Sequence, residues 1–169
     1  MQKTLIVVDA QNDFITGTLG SEQAQEVLIN IKKKIEECRK EGYRIIFTMD
    51  THDGDYFETI EGKNLPVIHC RFTFDGWKLA DGLYQDGDEI VYKHTFGTLA
   101  WKDMTGLDLE NIEVVGYCTN ICVINNVFIL KSLSEYANIT VDSSCCCGTT
   151  EEGHKMALEI MRSNHVRII

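Results

Sequence analysis

Four apolar runs in this chain are each closed by a chemically reactive side chain: TLIVVD on Asp9, YRIIFTMD on Asp50, DEIVYK on Lys93, and IEVVGYCTNIC on Cys122. Runs that stay apolar along their length are strands covered on both faces, as in a parallel sheet flanked by helices. In an open parallel sheet the carboxyl ends of the strands share one edge, and ligands bind in the crevice beside it. A carboxylate, an ammonium and a thiol delivered to that edge supply a nucleophile, its proton acceptor and a charge partner. The pattern therefore points to a hydrolytic enzyme of α/β class.

The order of elements supports that class. Residues 4–9 form the first strand, and the loop AQNDFITGTLGS follows. Apolar Val27, Leu28, Ile31 and Ile35 recur at helical spacing, predicting a helix from about Ser21 to about Lys40 that Gly42 stops. YRIIFTMD is a strand. Residues 51–87 read as irregular, apart from a short LPVIH strand around Pro66. DEIVYK is a strand, a short helix is expected over 98–103, and IEVVGY is a strand leading to a helix from about Asn120 to Tyr136. ANITVD is a strand, followed by a cysteine-rich loop, a helix from about Glu151 to Arg162, and a last strand, VRII. Strands alternating with helices imply right-handed crossovers and a mainly parallel sheet.

The 169 residues fit a single domain spanning 1–169. A net charge of −10 argues against nucleic acid, whose backbone would repel such a surface. No apolar run approaches the ~18 residues that cross a bilayer, and MQKTLIVVD lacks the layout of a secretion signal. Seven cysteines, three of them consecutive, read as reduced thiols and point to the cytoplasm.

Cys122 lies just after a strand, in the first turn of the next helix. With Thr119 as N-cap it is the third helical residue, where free N–H groups and the dipole favour a thiolate and can hold an oxyanion. Asp9 reads as the proton acceptor or as the cap of a turn, and Lys93 as the charge partner or as a solvent-seeking lysine. A charged Lys93 beside Asp9 is expected to hold the aspartate's pKa low. Asp50 and His52 are two apart after a strand and so point the same way, His69 ends LPVIH, and Glu61 or Glu58 can complete a set. Two histidines with carboxylates suit zinc, iron or manganese; on spacing alone a polar loop with a cap and two hydrogen-bonded histidines is slightly favoured. Phe14, Phe96 and Trp101 are candidates for pocket walls or for core. Cys145, Cys146 and Cys147 read as buried or loop thiols, and GTLGSE lacks the ending of a phosphate loop.

VVDAQNDF, KHTFGT, GYCTNICV and CCCGTTEEGHKMALEIM, taken in order, resemble the successive signatures of the isochorismatase-like cysteine hydrolases. That superfamily includes nicotinamidases and N-carbamoylsarcosine amidases. The resemblance implies a three-layer sandwich around a six-stranded sheet of order 3-2-1-4-5-6. It implies a triad of Asp9, Lys93 and Cys122, a cis Tyr117–Cys118 bond, and an oxyanion hole from the N–H groups of Cys118 and Cys122. The nicotinamidase-like branch is similar in its Asp-x-His and its His69–Cys70 dipeptide, which implies a metal, zinc first, on Asp50, His52, His69 and Glu61. Phe14, Phe96 and Tyr117 would line the substrate pocket. The chain departs from that branch after Cys70, where RFTFDGWKL replaces a Gly-Thr-x-Gly turn and keeps only Thr73 and Gly76. The expected activity is amidohydrolysis of a small carboxamide, nicotinamide to nicotinate foremost. Alternatives are a carbamoyl or ureido amidase, an isochorismatase, or a non-catalytic binding protein keeping the fold. A homo-oligomer acting on a small amide, with neither nucleic acid nor membrane as partner, completes the expectation.

Overall fold

The computed structural model describes residues 2–169. Six parallel strands form one sheet in the order β3-β2-β1-β4-β5-β6, with β1 at Thr4–Val8, β2 at Arg44–Asp50, β3 at Glu89–Lys93, β4 at Ile112–Tyr117, β5 at Ile139–Cys147 and β6 at Arg167–Ile168. The order that the resemblance implies and the α/β class both hold. Five α-helices follow the strands: α1 at Asn12–Ile15, α2 at Glu22–Lys40, α3 at Ile60–Asn64, α4 at Ile124–Ser132 and α5 at Glu151–Ser163. Every side chain of β1 is buried, because the strand sits mid-sheet with helices on both faces. On one face Leu5, Val7 and Phe47 pack under Val27, Ile31 and Ile35 of α2. On the other, Ile6, Val8 and Val114 pack under Val127 and Leu130 of α4 and Leu158 and Met161 of α5. Among the described residues no helix is long and apolar enough to cross a membrane.

Three local expectations fail, each for a physical reason. LPVIH is not a strand: Pro66 has no N–H to give a ladder, and Val67 N–H turns back onto the Leu65 carbonyl at 2.7 Å. The cysteine-rich segment is not a loop. It is the second half of β5, with all three thiols buried and Gly116 and Tyr117 in register with Cys146 and Cys147. A register shift between Val114 and Gly116 makes room for the added residues. Gly116 has φ 125°, and a Cβ there would fall 2.1 Å from the Val8 carbonyl oxygen, so only glycine lets β4 approach β1 this closely. The helix expected to reach Tyr136 ends at Ser132, where Ala137 N–H closes a turn on the Ser134 carbonyl. The loop AQNDFITGTLGS also contains α1, too short for periodicity to reveal.

Candidate active site

The register of the sheet places the reactive side chains. Asp50 and Lys93 end neighbouring strands as Cα partners, and Asp9 follows the last residue of β1. Asp9 holds φ 48°, a left-handed conformation that L-residues seldom adopt, and is completely buried. Lys93 Nζ, also buried, lies 2.7 Å from Asp9 Oδ2 and 3.0 Å from Asp50 Oδ1. It donates a third contact to Cys122 Sγ at 3.5 Å. The structure thus brings Asp9, Lys93 and Cys122 together around one ammonium.

The thiol is carried by an unusual turn. The Tyr117–Cys118 peptide is cis, and β4 then enters a turn of π-helix at Thr119–Val123 that runs into α4. The Cys118 carbonyl accepts from Ile121 and Val123 N–H at 3.0 and 3.1 Å. Thr119 is not the N-cap: its hydroxyl is taken by His154 Nδ1 at 2.8 Å, Cys118 holds the cap position, and Cys122 is the fourth helical residue rather than the third. Asn126 ties the turn down, donating to the Cys122 and Phe96 carbonyls at 2.8 and 3.2 Å and accepting from Trp101 Nε1 at 2.9 Å. Trp101 is therefore core, not pocket wall.

Burial sets the protonation states. It pushes the Cys122 thiol well above the ordinary range, with Asp9 adding to the rise and Lys93 opposing it. Burial thus favours the thiol form, opposite to the direction anticipated from the helix end. Asp9 is also raised, because desolvation outweighs the Lys93 charge that was expected to lower it. The ammonium of Lys93 loses solvation on burial, but the Asp9 and Asp50 carboxylates beside it more than restore its charge. A raised carboxylate next to a raised thiol is a base able to take that thiol's proton. Asp9 Oδ2, which faces the Lys93 ammonium that also contacts Cys122 Sγ, is the oxygen on the thiol's side. Its other oxygen accepts from the buried Thr48 hydroxyl at 2.6 Å.

A second cluster shares Asp50. One donor atom each from Asp50, His52, Glu61 and His69 lie within 4.8 Å of one another. Glu58, the alternative to Glu61, sits exposed on a separate turn outside the group. His69 Nδ1 is 2.8 Å from the Val67 carbonyl, so it carries the proton and leaves Nε2 as a free lone pair facing the cluster. His52 Nε2 is buried 2.9 Å from Asp50 Oδ2 but makes no hydrogen bond, an orphaned nitrogen pointed at the same centre. Two such nitrogens with two carboxylates fit a divalent ion of the zinc, iron or manganese kind.

Three buried polar residues of the site escaped sequence reading. Thr48 holds Asp9. Gln11 brackets the Asp50 backbone, accepting from its N–H and donating to its carbonyl, both at 2.8 Å, and donates to the Trp77 carbonyl at 2.7 Å. Asp13 accepts Cys70 N–H at 2.7 Å and so fixes the segment next to His69. Only their place in VVDAQNDF distinguished Gln11 and Asp13 from solvent-facing polar residues; nothing marked Thr48.

Both clusters open into one cavity of about 910 Å³, whose walls include Phe14, Phe96, Tyr117, Cys118 and Cys122. Phe14 packs edge-on to His69 at 5.8 Å, and Tyr117 fixes the wall by donating to the Ala24 carbonyl at 2.8 Å. The divergent RFTFDGW segment does not narrow this cavity: Trp77 turns away to stack on Tyr92 at 5.7 Å. A more open depression of about 570 Å³ lies elsewhere beside Arg39 and Arg44, whose guanidiniums are already paired with Asp88 and Glu89.

A family model described as Isochorismatase domain matches residues 3–169. The chain belongs to that family. Among solved structures, the zinc complex of the Pyrococcus horikoshii pyrazinamidase is similar in fold, with a TM-score of 0.80, 22% identity, and coverage of 100% of this chain and 99% of that one. The nicotinamidase of Saccharomyces cerevisiae is 29% identical over 128 residues, 70% of this chain and 58% of that protein. The ureidoacrylate amidohydrolase of Agrobacterium fabrum is 25% identical over 151 residues, 72% of this chain and 66% of that protein. The match thus spans less than two thirds of the length of these curated relatives. Within the isochorismatase family, relatives of two amide specificities resemble this chain, so the reaction of this member has to be argued from its own site.

Proposed function

We propose that this isochorismatase-family protein is a cysteine amidohydrolase that releases ammonia from a small carboxamide, with nicotinamide as the leading substrate. The observation that carries the proposal is the single Lys93 ammonium held by Asp9, Asp50 and Cys122 beneath a cavity that also presents four metal-donor atoms. An isochorismatase reaction, acid cleavage of a vinyl ether, needs neither the thiol nor the donor set.

In the proposed reaction Cys122 Sγ attacks the carboxamide carbon as its proton passes to Asp9 Oδ2. The oxyanion is received by the N–H groups of Cys118 and Cys122. Asp9 returns the proton to the departing nitrogen, ammonia leaves, and a thioester on Cys122 remains. Asp9 then takes a proton from water, which attacks the thioester and frees the acid and the thiol. Lys93 keeps its charge throughout and stabilises the carboxylate and the developing thiolate in turn. Asp50, His52, Glu61 and His69 would hold zinc, or iron or manganese in its place, as a Lewis acid for a ring nitrogen of the substrate and for water. Phe14 and Phe96 would flank the ring. Pyridine carboxamides suit this layout because the ring nitrogen and the carboxamide engage the two clusters at once, and the yeast nicotinamidase and the zinc-bound pyrazinamidase among the relatives support the choice.

The second reading, a ureido amidase, is favoured by the ureidoacrylate amidohydrolase match. An ammonia-release screen over nicotinamide, pyrazinamide, ureido acids and aliphatic amides, with and without chelator, decides between them. Turnover of nicotinamide no better than that of an aliphatic amide removes the nicotinamidase assignment.

A further inference from the structure

The charge inventory of the cavity goes beyond the reaction type. The chain holds 16 lysines and arginines, yet among the described residues none lines the cavity. Lys93, which touches the wall residues Asp50 and Cys122, is 2% exposed, and its ammonium is already engaged by two carboxylates and the thiol. The charged side chains that do line it are Asp50 and Glu61, acidic and both in the metal-donor group. A divalent ion there would be neutralised by those two carboxylates. The two longer helices that begin at the cavity, α2 and α5, are capped by their own Ser21 and Thr150 hydroxyls at 3.0 Å. No lysine or arginine remains to pair with an incoming anion, and the wall hydroxyls of Thr59 and Thr95 already donate to the Tyr56 and Gly97 carbonyls; an anion that meets no counter-charge in a largely apolar enclosure is disfavoured.

The walls have a second property. Phe14, Leu19, Ile60, Leu65, Phe96 and Ile121 are among the apolar side chains that line it. Ile60, Leu65 and Phe96 are 75%, 37% and 40% exposed, forming an uncovered apolar rim. A cavity of about 910 Å³ lies near the top of the ~300–1,000 Å³ range that holds drug-sized ligands. A single-ring carboxamide engaging Cys122 and the metal donors leaves much of that volume and the whole rim unused.

We infer, resting on the amidohydrolase reading, that the site takes uncharged amides bearing an apolar group beyond the first ring and rejects amides bearing a carboxylate. The substrate class is thus a neutral, extended aromatic carboxamide, and ureido or carbamoyl acids lie outside it.

The test is a matched set on the zinc-loaded protein: nicotinamide, its 5-isopropyl derivative, and its 5-carboxy derivative, which has nearly the same shape but is anionic. Ammonia release should give kcat/KM for the isopropyl compound equal to or up to ~10-fold above that of nicotinamide. The carboxylate compound should fall ~100-fold or more below the isopropyl one. Ile60→Arg, which places a cation on the rim, should narrow that gap by ~10-fold. Turnover of the anionic compound within tenfold of its neutral twin, or a ~100-fold loss on adding the isopropyl group, overturns the inference. Calorimetric binding of the same compounds to zinc-loaded Cys122→Ala separates the two levels of the argument. Selective binding of the neutral pair with no ammonia from the parent protein would sink the reaction and leave the pocket rule standing; equal binding of both charge states would sink the pocket rule.

Discussion

Thr48→Val removes one hydroxyl from a fully buried position and preserves its shape. That hydroxyl donates to Asp9 Oδ1 at 2.6 Å and favours the ionised carboxylate. A hydrogen bond to a charged group contributes ~1.5–3 kcal/mol, and one pKa unit corresponds to ~1.36 kcal/mol, so losing it lifts the Asp9 pKa by roughly one to two units. The proposed mechanism needs the ionised carboxylate in the free enzyme, so the acid limb of kcat/KM should move to higher pH by that amount. Asp9 already lies above its unfolded pKa, so its contribution to stability is fully present below the unfolded value and is lost as pH rises through the folded one. The variant raises the folded value further; its stability deficit should therefore be largest near neutral pH and shrink toward acid pH. The assay is ammonia release against pH with zinc in excess, paired with thermal unfolding at the same pH values. Thr48→Ser, which keeps the hydroxyl, should restore the parent profile. An acid limb that stays in place or moves down in Thr48→Val would show that Asp9 is not the base.

His52→Ala should reduce metal from near one equivalent to a small fraction by elemental analysis of protein purified without chelator; full occupancy would mean that the ion, if any, sits elsewhere. Gln11→Glu replaces the amide that donates to the Asp50 and Trp77 carbonyls by a group that cannot donate, and should weaken metal affinity ~10–100-fold in chelator competition. An unchanged affinity would show that the Asp50 backbone needs no such bracket. Cys118→Ala should cost less than about tenfold in kcat/KM, since only its backbone N–H is invoked; a loss as deep as that of Cys122→Ala would make Cys118 the reacting thiol.

The meeting of Asp9, Asp50, Lys93 and Cys122 was legible because each depends on a strand ending, and buried parallel strands announce themselves as continuous apolar runs; the order of the strands was legible only through the family resemblance, since apolar runs do not say which strands are neighbours. The Asp-x-His spacing marked Asp50 and His52 as neighbours, but only the family resemblance turned them into metal donors, and the choice of Glu61 over Glu58 depends on α3, whose five residues carry no usable period. Thr48 was not legible, because a buried threonine in RIIFTMD reads as another β-former whether or not its hydroxyl has a partner. The second half of β5 looked like a loop because SSCCC lacks the usual strand residues; its pairing depends on a register shift on β4. The protonation states ran opposite to the sequence-based reading, since the pattern names the neighbouring charges and leaves out the extent of burial that outweighs them.

The thioester on Cys122 is the centre of the account, and it can be looked for directly. Acid quenching of the zinc-loaded protein during turnover of nicotinamide, followed by proteolysis and mass spectrometry, should find a nicotinoyl adduct on the peptide containing Cys122. None should appear on Cys147 or on any other thiol, and fragmentation should separate Cys122 from Cys118 on the shared peptide. Cys122→Ala should give neither adduct nor ammonia. Undiminished ammonia release by that folded variant, or an adduct mapped to a different cysteine, would contradict the mechanism.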